Sequence, residues 1–204
     1  ISHELRTPLQ SILGFSELAM QRYPDDDPSQ PFFQDIYAAG QRMLVLVSNL
    51  LDLFKLESPT SGDIQLDRHD IRALLSEVAR ELRPQILSKN LNLKWSVPLT
   101  PLVAMLDPFR FQQVIRNILA NAIHFSPVNA GILLDTRLAE NSYVEISVLD
   151  QGPGIPPPEL KAIFDPFFQS ASKRKSDGTG TGLGLAISRK IIELHHGNIH
   201  AENC

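Results

Sequence analysis

Apolar side chains at positions 1, 5, 8, 9, 12, 15 and 19 recur at three- and four-residue spacing, the signature of one hydrophobic stripe along a helix running from Ile1 to about Arg22. Pro8 lies inside that stripe and predicts a kink, because it removes a hydrogen bond and crowds the preceding turn. The segment Tyr23 to Pro31 is dense in Pro, Asp and Ser and predicts a loop. Beyond it, Phe33, Tyr37, Gly40, Leu44, Val47, Leu51 and Phe54 alternate steps of four and three, which is a heptad seam. Two such helices make an antiparallel hairpin. One hairpin buries both stripes poorly, so a four-helix bundle formed with a second copy through residues 1 to 57 is expected.

Ser58 to Asp63 has the composition of a linker, and after it the periodicity changes. The pattern predicts a strand at Ile64–Leu66, a helix over 71–88, and strands over 91–97 and 102–106. Pro108 opens a further helix to about His124. Two strands of strong alternation, 132–138 and 143–149, flank a turn at 139–142. A loop-rich stretch then reaches Thr181, a helix spans 182–195, and Asn198 to Cys204 ends as the start of a strand. Strand pairs beside helices, without a regular strand-helix-strand repeat, define an α+β domain over residues 64–204: a sheet with helices on one face.

Composition narrows the functional classes. The 204 residues are 43% hydrophobic and 21% charged, ordinary for a globular chain, and the net charge of -4 supplies no cationic field for nucleic acid. The basic run Lys173-Arg174-Lys175 is short and local. A lone cysteine, Cys204, excludes an internal disulfide and fits a reducing, cytoplasmic compartment. No apolar run is long enough to span a bilayer, so any membrane anchor is expected outside these residues.

Four constellations carry chemistry. His3-Glu4-Leu5-Arg6-Thr7 lacks the second histidine that a zinc helix needs one turn on, since position 7 is Thr7. Helical geometry puts Ile1, Leu5, Pro8, Ile12 and Ala19 around one direction, with His3 roughly opposite and Thr7 roughly 40° from it. His3 is therefore an exposed imidazole beside the Glu4 carboxylate, open to two readings: a solvated polar face or a nucleophile. Asp150-Gln151-Gly152-Pro153-Gly154-Ile155 follows a strand; its glycines permit close backbone approach, and the aspartate can accept a hydrogen bond from an exocyclic amine. Gly178 to Leu185 opens a helix with alternating glycines, a backbone cradle for phosphate that is not a Walker loop. Asn117 and Asn121 share one face of their helix, where an amide oxygen suits a hard cation such as Mg²⁺ and a core polar network is the simpler reading.

In this order, the segments resemble the sensor histidine kinases of two-component systems. His3-Glu4-Leu5-Arg6-Thr7-Pro8 is similar to the family's H box and Asp107 to Ser126 to its N box. Asp150 to Ile155 is similar to the first glycine box, Ile163-Phe164-Asp165-Pro166-Phe167-Phe168 to the F box, and Gly178 to Leu185 to the second glycine box. The resemblance implies a HisKA-type dimerisation and phosphotransfer hairpin (1–57), a linker (58–63) and a Bergerat-type α/β sandwich that binds ATP with Mg²⁺ (64–204). It implies that His3 accepts the γ-phosphoryl group, that Glu4 orients or deprotonates it, and that Thr7 serves dephosphorylation of a partner response regulator. It further implies that Asn121 ligates Mg²⁺ with Asn117 on the phosphate side, and that Asp150 holds the adenine amine. Gly152, Gly154 and Ile155 would meet the base. Phe164 and Phe167 would anchor a lid bearing Lys173, and Thr179, Gly180, Thr181, Gly182, Leu183 and Gly184 would embrace the phosphates. Phe125 completes the N box, and His124 stands where the family usually has Lys or Arg, which implies a weaker or pH-dependent phosphate contact. The family continues with further sheet residues beyond Cys204, so either the sequence is trimmed there or the domain is shortened. The alternative reading is a catalytically silent, nucleotide-binding dimeric scaffold.

Overall fold

The computed structural model describes residues 2–57, 64–98, 100–139, 143–170 and 180–204, with side chains from Leu5 onward. The expected linker at 58–63, the tip of the hairpin turn, Lys173, Gly178 and Thr179 lie outside the described residues. Helix α1 (Ser2–Arg22) runs through Pro8 without interruption, and α2 (Gln30–Glu57) returns beside it. The carboxamide of Gln30 donates to the carbonyls of Met20 and Tyr23, both at 2.9 Å, so the start of α2 caps the open end of α1. Tyr23 stacks on Phe33 with ring centroids 5.5 Å apart.

The hairpin interface uses a narrower face than the apolar stripe predicts. Leu9 and Ser16 are buried and Leu13 half-buried, whereas Leu5, Ile12, Phe15 and Leu18 remain exposed. At mid-length a Cβ on Gly40 would lie 3.0 Å from Leu13 Cδ2, so the absent side chain is what lets the helices close there. On α2, Phe33, Tyr37, Leu44, Val47 and Leu51 are half-buried as the seam predicts. Phe54 departs from it at 57% exposure, while its neighbours Leu53 and Leu56 are buried. The reason is a change of partner: the last turns of α2 leave α1 and pack on the second domain.

That domain comprises β1 (Asp67–Asp70), α3 (Ile71–Ser88), β2 (Asn92–Ser96), β3 (Val103–Leu106), α4 (Pro108–Phe125), β4 (Gly131–Leu138), β5 (Val144–Leu149), short 3-10 turns at Pro157–Glu159 and Ala162–Phe164, and α5 (Gly184–Leu194). Three expectations about its strands are corrected. The first strand is Asp67–Asp70, not Ile64–Leu66, because it is defined by antiparallel backbone pairing to β3 and not by its side chains, which are all polar. No strand forms over 198–204, which is irregular.

The strands form two sheets, β1-β3 and β2-β4-β5, where one was expected. β4 lies parallel to β2 and antiparallel to β5, with Leu134 opposite Val148. Ile132, Leu134 and Thr136 point inward from β4 in the alternation its sequence predicts. They meet Leu74, Leu75, Val78 and Leu82 of α3 and Phe111, Ile115, Leu119 and Ile123 of α4, so helices cover one face of this sheet. Complete burial of a side chain such as Leu75 or Leu134 contributes about 2–3 kcal/mol each. This core holds α4 and β5 rigidly, and their C-terminal ends present the candidate site.

Candidate active site

α4 starts firmly. Asp107 accepts from the Arg110 amide at 3.0 Å and Pro108 occupies the first turn. Its end is equally fixed: the Lys89 ammonium donates to the carbonyls of Ile123 (3.0 Å), His124 (2.7 Å) and Ser126 (3.2 Å). A cation on those otherwise open carbonyls offsets the negative end of the helix. Nothing in the sequence pattern singles out Lys89, because its partner lies thirty-five residues away.

On the open face of α4, the half-buried Asn117 donates to Gly184 O (3.0 Å) and Ser188 Oγ (3.2 Å). Its amide nitrogen therefore ties α4 to α5. Asn121, one turn on and also half-buried, makes no hydrogen bond to the described residues, so its carboxamide oxygen is uncommitted. Among the described residues no group of three His, Cys, Asp or Glu side chains could hold a metal. A cation beside Asn121 would need most of its oxygens from a ligand and water, a donor set that fits Mg²⁺ and not zinc.

The loop after β5 lies against the end of α4. The exposed Asp150 accepts the Gly152 amide through Oδ1 at 2.7 Å, leaving Oδ2 outside any bond to the described residues. A Cβ on Gly152 would come within 3.2 Å of Phe125 Cβ, so the absent side chain lets the loop pack against the end of α4. His124 meets the Phe125 ring edge-on, centroids 4.9 Å apart, and is exposed. Gln151 accepts the Gly131 amide at 2.8 Å. Gly154 has φ +74°, and a Cβ there would lie 3.1 Å from Asn203 Oδ1. Ile155 exchanges two hydrogen bonds with that same asparagine.

The F-box and second glycine segments are joined at their base. Phe164 is buried, while Phe167 is 56% exposed and held at φ +63°. The Phe167 amide donates to Gly182 O at 2.9 Å, and the Gln169 carboxamide donates to Gly180 O. Gly182 has φ +70°, and a Cβ there would strike the Phe167 backbone at 2.8 Å, so glycine is required at this position for packing. Thr181 Oγ1 accepts the Leu183 amide at 3.3 Å, and Leu183 is wholly buried. α3 and α4 each carry an aspartate cap, on Asp70 and Asp107, whereas α5 has no side-chain cap. Its first amides therefore have no side-chain acceptor among the described residues and are open to an anion.

The hairpin reaches this same place. Starting from the Gly40–Leu13 contact, an antiparallel pairing puts His3 level with about Leu50, roughly 15 Å along the hairpin. Asn49 donates to Thr181 Oγ1 at 3.4 Å, so the glycine segment rests on α2 at the level of His3. Thr7, one turn further along α1, is exposed. Below, Leu53 and Leu56 pack on Val114, Leu183, Ile187 and Ile191, and Arg110 Nη1 bonds both oxygens of Asp52 at 2.7 and 3.0 Å. Gln113 adds a third bond to Asp52 at 2.6 Å. None of Asn49, Asp52 or Arg110 stands out from the sequence, since a polar residue on a helix reads as solvated until its partner is known. The marked pKa shifts lie away from the site. The Arg116 guanidinium hydrogen-bonded to Glu81 holds that carboxyl below its ordinary value, and Arg137 does the same for Glu145.

The end of a helical hairpin is thus docked beside an uncapped, glycine-flanked helix start. Residues 1–59 match the His Kinase A (phospho-acceptor) domain, and residues 106–204 match the family described as histidine kinase-, DNA gyrase B-, and HSP90-like ATPase. The sensor histidine kinase RcsC of Escherichia coli K12 is 34% identical over 204 residues, which is 100% of this chain and 21% of that protein. The structure of full-length ShkA in complex with AMPPNP shares 30% identity at a TM-score of 0.75, covering 94% of this chain and 39% of the other. That of the histidine kinase ThkA in complex with the response regulator protein TrrA shares 27% identity at a TM-score of 0.69, covering 99% and 55%. The chain belongs to the sensor histidine kinases of two-component systems. It spans about a sixth to a fifth of the length of the curated relatives it matches. No helix among the described residues is long and apolar enough to cross a membrane.

Proposed function

We propose that this chain is the kinase core of a sensor histidine kinase, which binds ATP, phosphorylates itself on His3 and passes the phosphoryl group to an aspartate of a response regulator. The observation that carries the reading is the uncapped start of α5 held by Asn117 of α4, one turn before Asn121, with the Asp150 loop packed at the end of the same helix. A triphosphate laid on the α5 amides would supply the anion that no side chain supplies. The adenine amine would bond the open Asp150 oxygen. Asn121 would hold Mg²⁺, which supplies charge neutralisation on the phosphates when bound. The AMPPNP in the ShkA structure supports the nucleotide, and the TrrA partner of ThkA supports the regulator.

In the transfer, a neutral His3 nitrogen forms a bond to the γ-phosphorus as the bond to the β,γ-bridging oxygen breaks and ADP leaves. The proton on the other ring nitrogen passes to Glu4, the neighbouring carboxylate. Little further covalent assistance is needed, because alignment and charge stabilisation dominate phosphoryl transfer. Thr7, exposed one turn on, is read as the group that positions water when the regulator is dephosphorylated. The exposed Leu5, Ile12, Phe15 and Leu18 of α1, with Phe32, Ile36, Met43 and Val45 of α2, supply the apolar faces that a second hairpin would cover as a four-helix bundle. The parent protein is read as cytoplasmic in this portion.

Incubation with γ-labelled ATP and Mg²⁺ tests the reading. Acid-labile, alkali-stable label that disappears in His3→Gln is expected; a folded wild-type chain that takes up no label would overturn it.

A further inference from the structure

The loop from Asp150 to Ile155 is tied down on the far side by a residue from the end of the chain. Asn203 Oδ1 accepts the Ile155 amide at 2.9 Å and Asn203 Nδ2 donates to the Ile155 carbonyl at 2.7 Å. One carboxamide thus satisfies both backbone groups of Ile155, as a neighbouring strand would. Gly154 has φ +74° and would bring a Cβ within 3.1 Å of Asn203 Oδ1, so the left-handed turn and the asparagine fit each other. On the near side, Asp150 holds Gly152 and Gln151 holds Gly131. Three side chains therefore anchor the loop, and Asn203 alone is supplied from outside the strand and loop. Without it, Gly154 and Ile155 would lose their side-chain anchor, and Gly152 would be held against Phe125 from its N-terminal side alone.

We propose that Asn203 is a positioning residue for the nucleobase loop, acting through Ile155 and Gly154 to hold Asp150 and Gly152 in binding geometry. The proposal rests on the reading of this loop as the nucleobase site. Its chemistry makes the carboxamide irreplaceable by its isostere. An aspartate fills the same space and still accepts from the Ile155 amide, but it sets a second negative oxygen against the Ile155 carbonyl. Alanine merely removes both bonds and leaves the loop to water.

The test uses Asn203→Ala and Asn203→Asp in this chain, with Kd for ADP by calorimetry and KM and kcat for ATP-dependent labelling. The expected order of nucleotide affinity is wild type, then alanine about 5-fold weaker, then aspartate 10-fold or more weaker, with kcat at saturating ATP within about 2-fold. A residue that only fills space would give the reverse order, with aspartate close to wild type, and that result overturns the proposal. So does wild-type affinity in the alanine variant, or a fall in kcat at unchanged KM. Should aspartate disturb folding, seen as a loss of the cooperative melt, the alanine variant alone decides. Failure of the nucleotide reading itself is distinct, because wild type would then bind no ADP.

Discussion

Removing the Asp52 carboxylate gives the most informative view of how the two domains are joined. Its two oxygens take three bonds, two from Arg110 and one from Gln113, and both charged side chains are 22% exposed. At about 4 Å and an effective dielectric near 20 the raw attraction is about 4 kcal/mol. Desolvation and side-chain ordering cancel a good part of it, leaving a coupling of about 1–2 kcal/mol for a partly buried pair. Asp52→Ala alone is expected to cost about 2–3 kcal/mol, because it also leaves a Gln113 donor without its acceptor and Arg110 Nη1 with only the bond to Gln113 Oε1 at 3.0 Å. In a cycle of Asp52→Ala, Arg110→Ala and the double variant, native-state hydrogen exchange over residues 49–56 should report the docking of α2 on α4 and α5. Each 1.4 kcal/mol lost corresponds to about tenfold faster opening. The double variant should be less impaired than the sum of the singles by the coupling energy. Strict additivity, within about 0.3 kcal/mol, would refute the claim that this contact couples the domains.

Gly182→Ala should destabilise the chain by about 1–3 kcal/mol in urea titrations, since it combines φ +70° with a 2.8 Å clash on the Phe167 backbone. Gly184→Ala, whose Cβ would meet Asn117 at an ordinary 3.5 Å, should stay within about 0.5 kcal/mol of wild type or gain slightly. Lys89→Met should lose about 1–3 kcal/mol, read from the same titrations, by uncovering the three carbonyls at the end of α4; Lys89→Arg should recover part of it. The bond to Arg116 lowers the Glu81 pKa in the folded chain, so its stabilisation is present above the ordinary glutamate value of 4.5 and is lost as pH falls through the lower folded value. With the pair 39% and 51% exposed, Arg116→Ala should cost no more than about 0.5 kcal/mol at neutral pH, and the difference should vanish in acid unfolding curves.

What could be seen in the sequence follows from which forces act locally. The amphipathic periods of α3, α4 and α5 and the alternation of β4 report burial on a single face, and those elements lie where the pattern puts them. β1 lies three residues beyond the apolar pair Ile64 and Leu66, because the pairing that defines the strand runs through Asp67-Arg68-His69-Asp70 on backbone groups alone. Phe54 continues the heptad of α2 on paper, but the helix changes partner at Leu53, an event set by a surface built from residues sixty and more positions away. The glycines were legible as glycines; what each missing Cβ faces was not. Gly154 faces Asn203 and Gly182 faces Phe167, so both answer to packing inside the chain. Asn117 likewise commits its amide nitrogen to Gly184 and Ser188, and Asn121 alone of the pair keeps its carboxamide uncommitted.

The central claim is that nucleotide held between α4 and α5 feeds His3. Mass spectrometry under neutral conditions, after a brief exposure of the chain to ATP and Mg²⁺, tests it most directly by locating the added phosphate. Phosphate is expected on the peptide bearing His3, with Asn121→Ala reducing its yield at least tenfold. Phosphate on another residue, or an undiminished yield on His3 in the Asn121 variant, would contradict it.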